Sequence, residues 1–141
     1  MNCCIFFGHR DTSEAIIPLL EKEILHAIQS EGIRNFYVGN NGKFDYYVQK
    51  VLQKIRKADP IEYTIVLSRI DESALNKEQN ATLFPTGLES SPPQFAISKR
   101  NNWLIAQASY AIVYAKYKAS NSYRLMQKCI KKGAKTINLA E

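Results

Sequence analysis

The feature that most constrains this chain is a repeated plan in which a short apolar run closes on a glycine or a polar turn and gives way to a helical pattern. Residues 2–7 (NCCIFF) end at Gly8, and Ile17, Leu20, Ile24 and Ile28 follow at the spacing of one helix face. Asp11 with Glu14 three residues on fits a capping box, and Gly32 ends the helix. Phe36 to Val38 repeat the plan as a strand closed by Gly39, with Phe44, Val48, Val51, Leu52 and Ile55 as the stripe of a second helix that Asp59-Pro60 stops. A third strand is expected over residues 63–67, a third helix over 96–109, a fourth strand over 110–114, a fourth helix over 120–132 ended by Gly133, and a fifth strand over 136–139.

Strands that are apolar on both faces and alternate with helices predict a parallel sheet covered on each side. The expected fold class is therefore α/β, a Rossmann-like three-layer sandwich with a mainly parallel five-stranded sheet and helices on both faces. With 141 residues the chain suits one domain. Residues 68–95 show no convincing period and carry Pro85, Gly87, Pro92 and Pro93, which reads as one long loop. Such a loop either covers a binding site or is a plain insertion.

Apolar residues make up 45% and charged residues 23%, which argues against extensive disorder. No apolar run approaches the roughly 20 residues of a bilayer-spanning helix, and the N-terminus lacks the parts of a signal peptide. A cytoplasmic protein without membrane association is expected. Cys3, Cys4 and Cys129 read as reduced, buried hydrophobes rather than metal ligands or a disulfide, so no metal is expected. The formal charge of +6 favours anionic partners without specifying nucleic acid. Between Lys116 and Lys135 there are seven basic residues and no acidic one, and Arg124, Lys128, Lys131 and Lys132 share a helix face; a solvated outer face and an anion-binding face both fit.

Ligands of open parallel sheets bind beyond the carboxyl ends of the strands, where helix N-termini present free N–H groups. Three strand-to-helix turns fall on that edge: Gly8-His9-Arg10, Gly39-Asn40-Asn41-Gly42 with Asp45, and Ala119-Ser120-Asn121. Gly8, Gly39 and Gly42 suit either close approach to phosphate or sugar, or simply tight turns. Arg10 is able to grip phosphate bidentately, and His9 is either a phosphate donor and proton carrier or a turn residue. Asn40 and Asn41 fit ribose hydroxyls or base edges as well as ordinary turns, and Asp45 fits a ribose contact or the helix dipole. Arg100 and Asn101 sit near the same edge, Asn101 on an inward face that needs a polar partner. Trp103 falls on the other side of its helix and reads as packing.

The segments CIFFGHR at 4–10, FYVGNNGKFD at 36–45, PQFAISKRNNW at 93–103 and INLAE at 137–141 resemble, in order along the chain, a small bacterial branch of the SLOG superfamily. That superfamily has a Rossmann-like fold and includes lonely-guy-type phosphoribohydrolases and a DNA-processing protein that loads recombinase on single strands. The resemblance implies binding of a nucleotide-type small molecule by Gly8, His9, Arg10, Gly39, Asn40, Gly42, Asp45, Arg100 and Asn101, and association into homo-oligomers, for which the long loop is a contact candidate. Where relatives carry a Gly-Gly phosphate turn after the fourth strand, this chain has Ala119-Ser120-Asn121, in which Ser120 still offers a cap and a hydroxyl.

Three functions follow as expectations. The first is a noncatalytic or sensing module for a nucleotide or nucleotide-derived ligand, since the edge holds binding-type residues without an evident acid/base pair. The second is N-glycosidic hydrolysis, as in the phosphoribohydrolases. Those enzymes place a glutamate in the helix after the fourth strand, whereas residues 120–132 contain no Asp or Glu, leaving His9, Asp45 or a loop residue such as Glu89 as substitutes. The third is single-stranded nucleic-acid binding, suggested by positive charge and eight tyrosines, most of which core packing also explains.

Overall fold

A computed structural model describes residues 2–67, 81–83 and 93–140. Its strands are β1 (Cys3–Gly8), β2 (Asn35–Val38), β3 (Glu62–Val66), β4 (Ala81–Leu83), β5 (Tyr110–Tyr114) and β6 (Lys135–Asn138). Its helices are α1 (Ile17–Glu31), α2 (Lys43–Arg56), α3 (Pro93–Gln107) and α4 (Asn121–Lys132), with a 3-10 turn at Glu14–Ile16 before α1.

All five strands expected from the sequence are present and pair in parallel. A sixth, β4, adds beside β3 inside the stretch read as loop, giving the order β4-β3-β2-β1-β5-β6. The remainder of the predicted loop up to residue 92 lies outside the described residues, and α3 takes over at Pro93. Proline suits a first helical position because its fixed φ fits and its missing N–H would have had no partner there.

The sheet is buried on both faces, as period-2 alternation requires. Cys4, Phe6, Phe36, Val38, Tyr63, Ile65, Tyr110 and Ile112 face α1 and α2, meeting Leu20, Ile24, Ile28, Phe44, Val48 and Leu52. Ile5, Phe7, Val66, Ala111 and Val113 face α3 and α4, meeting Leu104, Ile105, Leu125, Met126 and Cys129. This is the expected three-layer Rossmann-like arrangement. Trp103 packs partly buried on the second face, edge-on to Tyr37 at 5.5 Å between ring centroids. The three cysteines are buried and free, and no helix among the described residues is long and apolar enough to cross a membrane.

One local expectation is corrected. Ser13, not Asp11, caps the start of the first helical segment, its hydroxyl accepting from Ala15 N at 3.2 Å. Thr12 meanwhile ties the turn down by donating to the His9 carbonyl at 2.6 Å. The Asp11 side chain is thereby left out of the cap.

Candidate functional site

The strand order fixes where a cleft can form. From β1 the chain proceeds outward through β2, β3 and β4, and β5 then pairs on the other side of β1, so the connections diverge at the carboxyl ends of β1 and β5. At that switch point lies a cleft of about 330 Å³. Its walls come from all three layers: Gly8, His9 and Arg10 after β1; Asn41 and Asp45 at the start of α2; Arg100 and Asn101 from α3; and Asn121 from α4.

The buried wall is built around a charge pair that never touches. Asp45 is 7% exposed, Arg100 4% and Asn101 4%. A Cβ placed on Gly39 would lie 2.5 Å from Arg100 Nη1 and 2.8 Å from Asp45 Oδ2, so the two charges face each other across Gly39. A side chain at that position would push one of these two groups out of place. The Arg100 guanidinium donates to Asn101 Oδ1 from Nη2 at 2.7 Å and from Nε at 3.2 Å. With the Asn41 amide turned so that its oxygen meets the guanidinium, Nη1 donates to it at 2.8 Å. Asp45 Oδ2 accepts from the Asn41 backbone N–H at 2.9 Å. Burial pushes the Asp45 carboxyl up from 3.8 to about 6, although Arg100 and the Asn41 N–H both pull it down. Burial likewise lowers the Arg100 pKa, against the opposing effect of Asp45.

The first two turns are pinned together. Lys43 N–H donates to the Arg10 carbonyl at 2.7 Å. Gly42, at φ +102°, could carry a side chain only with backbone strain and with its Cβ 2.6 Å from Arg10 Cα. His9 links the first turn to the third: its Nε2 accepts from Lys116 N–H at 3.1 Å, and its ring lies 5.5 Å from Tyr114 and 5.2 Å from Tyr117 between centroids. An Nε2 that accepts an amide leaves the ring proton on Nδ1. Arg10, exposed at the mouth, is held at its backbone and free at its guanidinium among the described residues.

Eight of the twelve residues singled out from the sequence thus line one cleft: Gly8, His9, Arg10, Asn41, Asp45, Arg100, Asn101 and Asn121. Gly39 and Gly42 stand behind it as spacers for Arg100, Asp45 and Arg10. Asn40 does not line it, and its Oδ1 is buried with no hydrogen-bond partner among the described residues. Ser120 caps α4, its hydroxyl accepting from Tyr123 N at 3.2 Å and donating to the Tyr117 carbonyl at 2.6 Å. The sequence reading passed over Asp11, Ile97, Ser122 and Leu125, which also line the cleft. The spacing of Asp11 and Glu14 points to a cap instead, and Ser122 is a buried polar residue on a helix face that is otherwise apolar.

Chemically, the cleft offers two guanidinium groups, one buried and one exposed, amide groups that donate and accept, and a carboxyl that burial raises to about 6. Ile97 and Leu125 supply an apolar side. Compared with known proteins, the chain matches no family model and no curated protein sequence.

Proposed function

We propose that the protein is a binding, sensing-type module for a nucleotide or nucleotide-derived small molecule, seated in the cleft between the carboxyl ends of β1 and β5. The observation that carries this reading is the Arg100 guanidinium, buried to 4% exposure in the wall of a polar cleft whose mouth holds a second guanidinium, that of Arg10, unpaired among the described residues. Asp11 and Asp45 also line this volume, so net charge does not decide the ligand; what favours phosphate is the planar donor fork of two guanidinium groups, which takes oxyanions bidentately. Amides of Asn41, Asn101 and Asn121 suit ribose hydroxyls or base edges, and Ile97 and Leu125 suit the face of a base. The resemblance of the sequence to the SLOG superfamily supports the same ligand class.

A thermal-shift and calorimetric screen of nucleoside monophosphates tests it, because a ligand of the native state raises the melting temperature. Arg10→Ala is expected to leave the melting temperature of the free protein unchanged and to weaken binding about tenfold or more, the value of a charge-assisted hydrogen bond. Unaltered affinity in this variant, or no shift with any nucleotide, would reject the site.

A second reading, N-glycosidic hydrolysis, is favoured by one observation: a buried carboxyl with a pKa of about 6 in the same cleft, suited to taking a proton from an attacking water. Reading the same incubations for free base tests it. Release of base that Asp45→Asn abolishes supports hydrolysis, and saturable binding without release supports the module.

A further inference from the structure

The start of α4 forms the wall of a second hollow, of about 600 Å³, lined by Lys118, Ser120, Asn121, Tyr123, Arg124 and Gln127. Asn121 belongs to both hollows, so they adjoin at one side chain. Its Oδ1 accepts from Arg124 Nη2, which leaves its amide NH₂ as the remaining donor.

The two compartments differ in chemistry. The first holds the Asp45 carboxyl beside its guanidinium groups. The second has two exposed cations, Lys118 and Arg124, and no carboxylate in its lining, and neither cation makes an ion pair among the described residues. The one proton of the Ser120 hydroxyl is already donated to the Tyr117 carbonyl, and its oxygen caps α4. Attraction for an anion therefore falls to Lys118, Arg124 and the free amide of Asn121, with the Tyr123 ring as an aromatic surface beside them.

Size points the same way. The first cleft, about 330 Å³, lies at the bottom of the range for small-molecule sites, roughly 300 to 1,000 Å³. It is about half the size of its neighbour, so the larger space for a ligand lies on the side of Lys118 and Arg124. A ligand confined to the first cleft would leave the cations of the second hollow facing solvent alone.

Resting on the nucleotide reading of the cleft, we infer that the ligand comprises two nucleotide units joined through phosphate. One unit sits between Arg10 and Arg100, the linking phosphate crosses at Asn121, and the second unit occupies the hollow of Lys118, Tyr123 and Arg124. The added contacts with Lys118 and Arg124 make such a ligand bind about tenfold or more tightly than its mononucleotide half.

Titration calorimetry with adenosine 5′-monophosphate and with diadenosine diphosphate, repeated for the guanine, cytosine and uracil counterparts, tests the assignment. The double variant Lys118→Glu, Gln127→Glu reverses the charge of the second hollow without touching a residue of the first. Wild-type protein is expected to prefer the dinucleotide about tenfold or more, and the variant to lose that preference while binding the mononucleotide within about twofold of wild type at physiological salt. Equal affinity for both sizes, or an equal loss for both in the variant, overturns the two-unit ligand and leaves the cleft reading standing. Binding of neither size by the wild type overturns both.

Discussion

At the scale of single residues the site turns on Asp45, Gly39 and Arg100, and the protonation of Asp45 has a measurable consequence. A carboxyl whose pKa rises from 3.8 to about 6 on folding binds its proton more tightly in the native state. Its contribution to stability is therefore fully present below about pH 4 and is lost as pH rises through about 6, an effect of roughly 3 kcal/mol. Urea unfolding of wild type and Asp45→Asn across this range checks it. Wild-type stability should fall more steeply than that of the variant between these pH values, and parallel curves would show that the carboxyl is not held in a desolvated site. Part of this was legible in the sequence. Arg100 and Asn101 stood out because polar side chains near an inward face need partners, and Asp45 because it opens a helix. Their meeting across Gly39 was not legible, since it joins helices more than fifty positions apart and depends on a gap that only the packed layers create. The glycine attracted a ligand-cradling reading, whereas its missing side chain makes room for two of the protein's own.

Among elements, the strands were the plainest in the sequence because each is apolar on both faces and ends at a turn residue. β4 escaped notice for a physical reason: three residues carry no period, and only pairing with β3 makes them a strand. The start of α3 escaped because Pro92 and Pro93 were read as breakers, although a proline is at home in a first turn. Before α1 the spacing of Asp11 and Glu14 pointed to the wrong cap: Ser13 accepts from Ala15 N–H, while Thr12 donates to the His9 carbonyl. The basic stretch around α4 proves to be mixed in role. Lys132 donates to the carbonyls of Ala106 and Ala108 near the end of α3, and Lys135 pairs with Glu31, while Lys118, Arg124, Lys128 and Lys131 face outward. The start of this helix rests on Ser120, which satisfies one free N–H and anchors the preceding turn through Tyr117. Ser120→Ala should cost about 1 kcal/mol in chemical denaturation, and Ser120→Asp should recover most of it by restoring an acceptor for Tyr123 N–H. Equal losses in both would mean that the bond to Tyr117, which only the serine hydroxyl donates, is what matters.

For the molecule as a whole, alternation of elements announced a parallel sheet, but the order of its strands, and so the place of the switch point, emerges only from which strands pair. That order gives the cleft its character. Arg10 and Asp45 belong to the half of the fold organised by α1 and α2, Arg100, Asn101 and Asn121 to the half organised by α3 and α4, and the two halves have separate apolar cores on opposite faces of the sheet. A ligand held by residues of both halves stabilises the native state as a unit, because any opening that detaches either half discards the binding energy. At a ligand concentration a hundredfold above its dissociation constant the gain is about 2.7 kcal/mol. Native-state hydrogen exchange resolves this element by element. Amides of α2 and of α4 that exchange through openings releasing the ligand should both slow by about a hundredfold when the cleft is filled with the mononucleotide that binds best. Protection confined to α2 would place the ligand on Arg10 and Asp45 alone, and protection confined to α4 would move it off the switch point, so equal slowing on the two faces is the signature that the crevice between β1 and β5 is where the molecule takes its ligand.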